Sequence, residues 1–131
     1  MGRSELREHI FKMIFGIEFS NTENLEEQLA LYVDQLEGVS EKNQEYMLEK
    51  AKAIVANVEE IDRLINEHTT GWKTSRMNKV DLSILRLAVY EMKWDEDVPL
   101  KVAINEAVEL AKRFSGDEGP AFINGVLGKL A

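Results

Sequence analysis

No cysteine occurs in this chain. Its absence removes disulfide cross-links, thiolate zinc sites and thiol nucleophiles, and it fits a reducing cytosol. Histidine is almost as scarce. His9 and His68 lie on separate segments, and neither has a second ligand at an established spacing such as H-E-x-x-H. A phosphate-cradling loop is missing too, since Gly116-Asp-Glu-Gly119 lacks the lysine and the serine or threonine that such a loop needs. No apolar run approaches the roughly 20 residues of a membrane span. Charges at Arg3, Glu5, Arg7 and Glu8 precede any apolar stretch, unlike the start of a signal peptide. Carboxylates are plentiful, yet they stand in polar helical surroundings where nothing raises their pKa toward that of a general acid. These features lead us to expect a cytoplasmic protein without membrane association, cofactor or metal, and not an enzyme.

What the chain does have is length enough for a core and an uneven distribution of acid. Its 131 residues are close to the usual size of one domain, so a single domain over 1–131 is expected without a disulfide or metal staple. The formal charge is −8. Residues 1–19 carry three basic and three acidic side chains, and residues 72–131 carry nine of each. The whole excess falls in residues 20–71, with twelve acids against Lys42, Lys50, Lys52 and Arg63. Binding to a polyanion follows local potential rather than net charge, so the two ends can hold RNA while the middle repels it. The plainer reading of the middle is a solvated helix surface.

Apolar residues recur with helical period throughout, which predicts an all-α fold. Leu6, Ile10, Met13, Ile14 and Ile17 form a first stripe behind a Ser4 cap, fading near Ser20-Asn21. Asn24 and Glu27 have the spacing of a capping box for a second helix with Leu25, Leu29, Tyr32, Val33 and Leu36, stopped by Gly38. Ser40 opens a long third segment from Met47 to Ile65 without proline, with room for a bend near Asn57 and an end at Gly71. Asn78 caps the next helix with Asp81 in its first turn, where a carboxylate favours the positive end of the helix dipole. Val80, Ile84, Leu85, Leu87, Ala88 and Met92 cover more than a stripe, so this helix is expected at the centre. Pro99 suits the first turn of the following helix. There Ala103, Ala107, Leu110, Ala111 and Phe114 share a face. A last short helix with Phe122, Val126, Leu127 and Leu130 follows the break at residues 115–120.

Particular residues narrow this further. Arg76, Val80-Asp81, Ile84-Leu-Arg-Leu-Ala88, Tyr90-Glu91, Pro99, Val102-Ala-Ile-Asn-Glu-Ala107, Glu109-Leu-Ala-Lys112 and Phe122-Ile-Asn-Gly-Val-Leu127 resemble the bacterial NusB family of antitermination factors. The first half of the chain matches mainly in its helical pattern. The resemblance implies two packed three-helix bundles. It also implies binding of boxA-type RNA together with the ribosomal protein NusE, within an antitermination complex on RNA polymerase.

Most matched residues are apolar and serve packing, so the site rests on fewer positions. The resemblance places RNA contacts at Arg3 and Arg7, expected one turn apart on an exposed face, and at the aromatics Phe15 and Phe122. Ser4 and Glu5 stand where the family usually carries further basic residues, which lowers the number of phosphate contacts. The plainer role of Phe15 is core packing, with Phe122 balanced between packing and stacking. Asp81 matches an acidic position facing the protein partner, and capping its own helix is compatible with that. Asn105 and Glu106 are expected to bond backbone or a buried arginine such as Arg86, and Tyr90 to be a core residue. Two alternatives stand beside this reading: a protein-only NusB-like interaction module, and a NusB-like domain related to that of rRNA cytosine methyltransferases.

Overall fold

The computed structural model describes residues 1–19 and 24–131, and all the regular structure among them is helical. Two compact units result, residues 1–56 and 57–131.

The first unit is a three-helix bundle of α1 (Arg3–Ile17), α2 (Leu25–Asp34) and α3 (Glu41–Ala56), each packed on the other two. α1 starts before the expected cap: Gly2 is the N-cap, and its carbonyl accepts the Leu6 N–H at 3.0 Å, leaving Ser4 in the first turn. Leu6, Ile10, Phe11, Met13 and Ile14 are buried, whereas Ile17 is only half-buried. The expected fade at Ser20-Asn21 lies outside the described residues. Asn24 does occupy the N-cap of α2, but its side chain makes no capping bond, so that half of the expected box is missing. The last turn of α2 closes at Gln35 and Leu36, and Gly38 beyond it takes a left-handed φ of 72°. Ser40 caps α3 as expected, its Oγ accepting the Asn43 N–H at 3.2 Å. Met47, Ala51 and Ile54 then face the core.

The second unit contains α4 (Val58–His68), a 3-10 turn (Thr74–Arg76), α5 (Lys79–Lys93), α6 (Leu100–Phe114) and α7 (Gly119–Leu130). α4 is additional to the three expected helices because the long third run breaks at Asn57, whose φ of −106° and ψ of 11° are not helical. α5 packs on α4, α6 and α7, and this central position explains why Leu82, Ile84, Leu85, Leu87, Ala88 and Val89 are all nearly or wholly inaccessible. Ala103, Ala107 and Ala111 line the buried face of α6, where small side chains let the neighbouring helix come close. Arg86 on α5 is held by Asp62 of α4 through two bonds of 2.9 and 2.7 Å, a bidentate geometry that fixes both helices in register. Of the two α6 residues expected to bond backbone or Arg86, Asn105 is exposed at the surface, whereas Glu106 is half-buried and has interactions of its own. Tyr90 is half-buried and stacks on Trp94 with ring centroids 6.0 Å apart.

The acidic middle of the chain is a solvated surface. Of its described acids every one except half-buried Asp62 is exposed. Arg63 bonds both Glu60 and Glu67 along α4, and its hydrogen bond holds the Glu60 carboxyl below the usual range.

Candidate recognition surfaces

In the first unit the expected RNA contacts separate. Arg3 is exposed in the first turn of α1, whereas Arg7 is buried, with 6% of its surface accessible, and has interactions of its own. Periodicity explains the difference from the expected shared exposed face. Residues 7, 10, 11 and 14 are the i, i+3, i+4, i+7 stripe of α1, so Arg7 lies in line with Ile10, Phe11 and Ile14. Phe15 is half-buried in an aromatic row, 6.2 Å from the Phe11 ring and 4.8 Å from that of Phe19. Phe19, 66% exposed, is an aromatic the motif reading missed, although the four-residue spacing of 11, 15 and 19 announces it. His9 Nδ1 lies 2.8 Å from the Tyr32 hydroxyl, joining α1 to α2. Burial, and secondarily the charge of Glu8, pushes the Tyr32 phenol above its ordinary value.

The second unit carries a cleft of about 550 Å³ lined by Trp72, Met77, Asn78, Asp81, Phe122 and the 115–119 turn. Asp81 is the lining residue with the most side-chain bonds shown. Asn78 Oδ1 accepts the Asp81 N–H at 2.8 Å, and Asn78 Nδ2 donates to Asp81 Oδ2 at 2.9 Å, a reciprocal cap of the α5 N-terminus. Ser115 donates to the other carboxylate oxygen, Oδ1, at 2.5 Å. Asp81 is therefore buried, its N–H capped by Asn78 and each carboxylate oxygen accepting one side-chain bond.

The 69–74 segment sets the aromatic wall. Gly71 turns it with a φ of 79°. Asn66 Oδ1 accepts the Thr74 N–H at 2.8 Å, Lys73 Nζ reaches the Asn66 carbonyl at 3.0 Å, and the Thr69 hydroxyl lies 2.6 Å from the Trp72 carbonyl. Trp72 is thereby held while 55% exposed, edge-to-face with Phe122 at 5.9 Å and 66°. Phe122 is half-buried at the start of α7. Trp72 was not among the residues expected at the site, because it lies outside the motifs and only folding brings it to Phe122.

Among the described residues no group of His, Asp and Glu could hold a metal ion, and no helix is long and apolar enough to cross a membrane. An all-helical scaffold with an aromatic row that ends on the exposed Phe19, an exposed arginine and an acidic cleft lined by Trp72 and Phe122 defines a protein of macromolecular recognition. The model of the NusB family matches residues 4–131. The chain belongs to the NusB family. It is 53% identical over 131 residues to a transcription antitermination protein NusB of Agathobacter rectalis, covering all of both chains. It is 47% identical to that of Lachnoclostridium phytofermentans, covering 99% of this chain and 98% of the relative. Among solved structures, NusB of T. maritima superposes with a TM-score of 0.91 at 34% identity, covering 100% of this chain and 91% of that one. A chain from a crystal structure of antitermination factors NusB and NusE in complex with dsRNA superposes with a TM-score of 0.84 at 25% identity, covering 96% and 92%.

Proposed function

We propose that this protein is a non-catalytic transcription antitermination factor of the bacterial cytoplasm that binds boxA-type RNA together with the ribosomal protein NusE, as part of an antitermination complex on RNA polymerase. The observation that supports this most is full-length similarity to proteins named for antitermination, joined to the fold shared with a NusB crystallised with NusE and dsRNA. In this reading Arg3 meets phosphate, and Phe15 and Phe122 offer ring surface to bases. Arg7, being buried, acts on RNA through the placement of α1 and its positive field. Asp81 serves the protein partner by shaping the cleft and adding to its negative potential.

The partner supplies phosphate contacts that Ser4 and Glu5 do not, so RNA affinity rises when NusE is present. Titration of a boxA-type RNA at matched salt, with and without NusE, tests this, and equal affinities overturn it. A protein-only module is the second reading, favoured by the burial of Arg7 in an already depleted basic segment. It requires NusE binding without measurable RNA binding in either arm.

A further inference from the structure

We propose that a second, smaller groove of the 57–131 unit, formed by α7 and the 69–72 segment, is a nucleotide subsite for unpaired RNA, in which a base stacks on Trp72 and Lys129 meets a flanking phosphate. This rests on the RNA-binding reading above and adds a place and a ligand form to it. The groove measures about 200 Å³, and its lining includes Thr69, Thr70, Trp72, Phe122, Gly125 and Lys129. That is below the roughly 300–1,000 Å³ of sites for drug-sized ligands, so it suits one planar group.

Charge selects the kind of ligand. The lining contains no carboxylate, and its one charged residue is Lys129. Residues 69–76, which supply Thr69, Thr70 and Trp72, also carry Lys73 and Arg76 and no acid. All three cations are exposed. A phosphate is therefore attracted here and a basic peptide repelled, whereas the cleft lined by Asp81, Asp117 and Glu118 has the opposite preference. The planar half of a nucleotide has a matching surface in Trp72, which is 55% exposed while the Asn66, Thr69 and Lys73 bonds hold its segment. Stacking on an indole requires only a π-face, so any base qualifies.

Gly125 is an independent observation. Among the described glycines only Gly38 and Gly71 have a positive φ, and a Cβ at residue 125 would meet nothing within 4 Å. Neither backbone conformation nor packing calls for glycine at this place inside α7, where it is a poor helix former. A bare backbone in the groove does let a ligand come close. Phe122, Gly125, Val126 and Lys129 follow one another at i, i+3, i+4 and i+7, so they share a face of α7. About 10 Å of helix axis separates Phe122 from Lys129, which puts the flexible lysine within reach of a phosphate next to a stacked base.

The test titrates a single-stranded boxA-type RNA into the full-length chain over a salt series, without NusE and with NusE at saturation. Trp72→Ala should weaken RNA roughly tenfold with the salt slope preserved, and Lys129→Gln should lower that slope by about one unit. Gly125→Gln should fill the groove and weaken RNA by a similar factor, yet melt no lower than wild type by circular dichroism. In a Trp94→Phe background the remaining tryptophan, Trp72, should be quenched by the RNA. Wild-type RNA affinity in both Trp72→Ala and Gly125→Gln, or an unquenched Trp72 in the complex, overturns the subsite while leaving the RNA reading intact. Weakened NusE binding in Gly125→Gln, measured without RNA, assigns the groove to the protein partner and also overturns it. Failure of the wild-type chain to bind RNA in either arm overturns both readings.

Discussion

The Ser115 hydroxyl donates to Asp81 Oδ1 at 2.5 Å, tying the turn before α7 to the capped N-terminus of α5 across 34 positions of sequence. Gly119 is part of the same arrangement. A methyl group at residue 119 would stand 2.0 Å from Ser115 Oγ and 2.5 Å from Ser115 Cβ, so the serine could not remain where it bonds the aspartate. Gly119→Ala should therefore lower stability by about 1–3 kcal/mol through crowding. Ser115→Ala should cost about 1–2 kcal/mol by leaving one oxygen of a buried carboxylate without this donor. Urea melts of both variants check this, and unchanged midpoints would mean that the 115–119 turn is not held through Asp81.

Asp62 and Arg86 provide a second test of packing. Asp62→Ala removes both acceptors of the 2.9 and 2.7 Å bonds from a guanidinium that is only 11% exposed. The expected loss is about 1–3 kcal/mol, less than for a fully buried pair because Asp62 keeps contact with water. Asp62→Asn should retain part of it. A variant as stable as wild type by denaturant melt would show that the pair is a surface contact without structural weight.

Leu85 is wholly inaccessible on the central helix. Leu85→Ala leaves a cavity there and should destabilise the second unit by roughly 2–5 kcal/mol, whereas Arg3→Ala, on an exposed first turn, should shift the midpoint by less than about 0.5 kcal/mol. Arg7→Ala should resemble a core change more than a surface one, in contrast with the expectation from sequence. Thermal and urea melts of the three variants rank them. A Leu85→Ala midpoint equal to wild type would displace α5 from the centre of the core.

RNA binding against salt separates charge from stacking. Arg3→Glu should weaken complexes with matched and scrambled RNA alike and reduce the salt slope by about one unit, the signature of a lost phosphate contact. Phe122→Ala should cost about 1–3 kcal/mol with the slope preserved, since base stacking releases no counterions. Full RNA affinity in Arg3→Glu across the salt series would remove the start of α1 from the RNA surface and favour the protein-only module.

Much of the fold was legible because helix period and capping are local. The stripe of α1, the Ser40 cap of α3, the Asn78 cap with Asp81 in its first turn, and the buried face of α5 all follow from residues within a few positions of one another. The motif from Arg76 to Leu127 was enough to place the chain in its family, since those residues pack the second unit in register. Breaks were harder to read. Nothing local compelled α3 to end at Ala56, because Asn57 sits inside an unbroken apolar period.

The sequence by itself determined the all-helical class, the solvated acidic middle and the family, because each depends on composition or on short-range pattern. Tertiary structure alone decided which charged and aromatic side chains are presented. Arg3 and Arg7 are one turn apart and look equivalent in sequence, yet only Arg3 stays exposed, because the packed face of α1 begins between them. Arg86 found Asp62, and Trp72 met Phe122, because the partner of a side chain is chosen by which helices pack together. The acidic cleft exists for the same reason. Its walls come from segments far apart in the chain, and no periodicity within either one encodes the space between them.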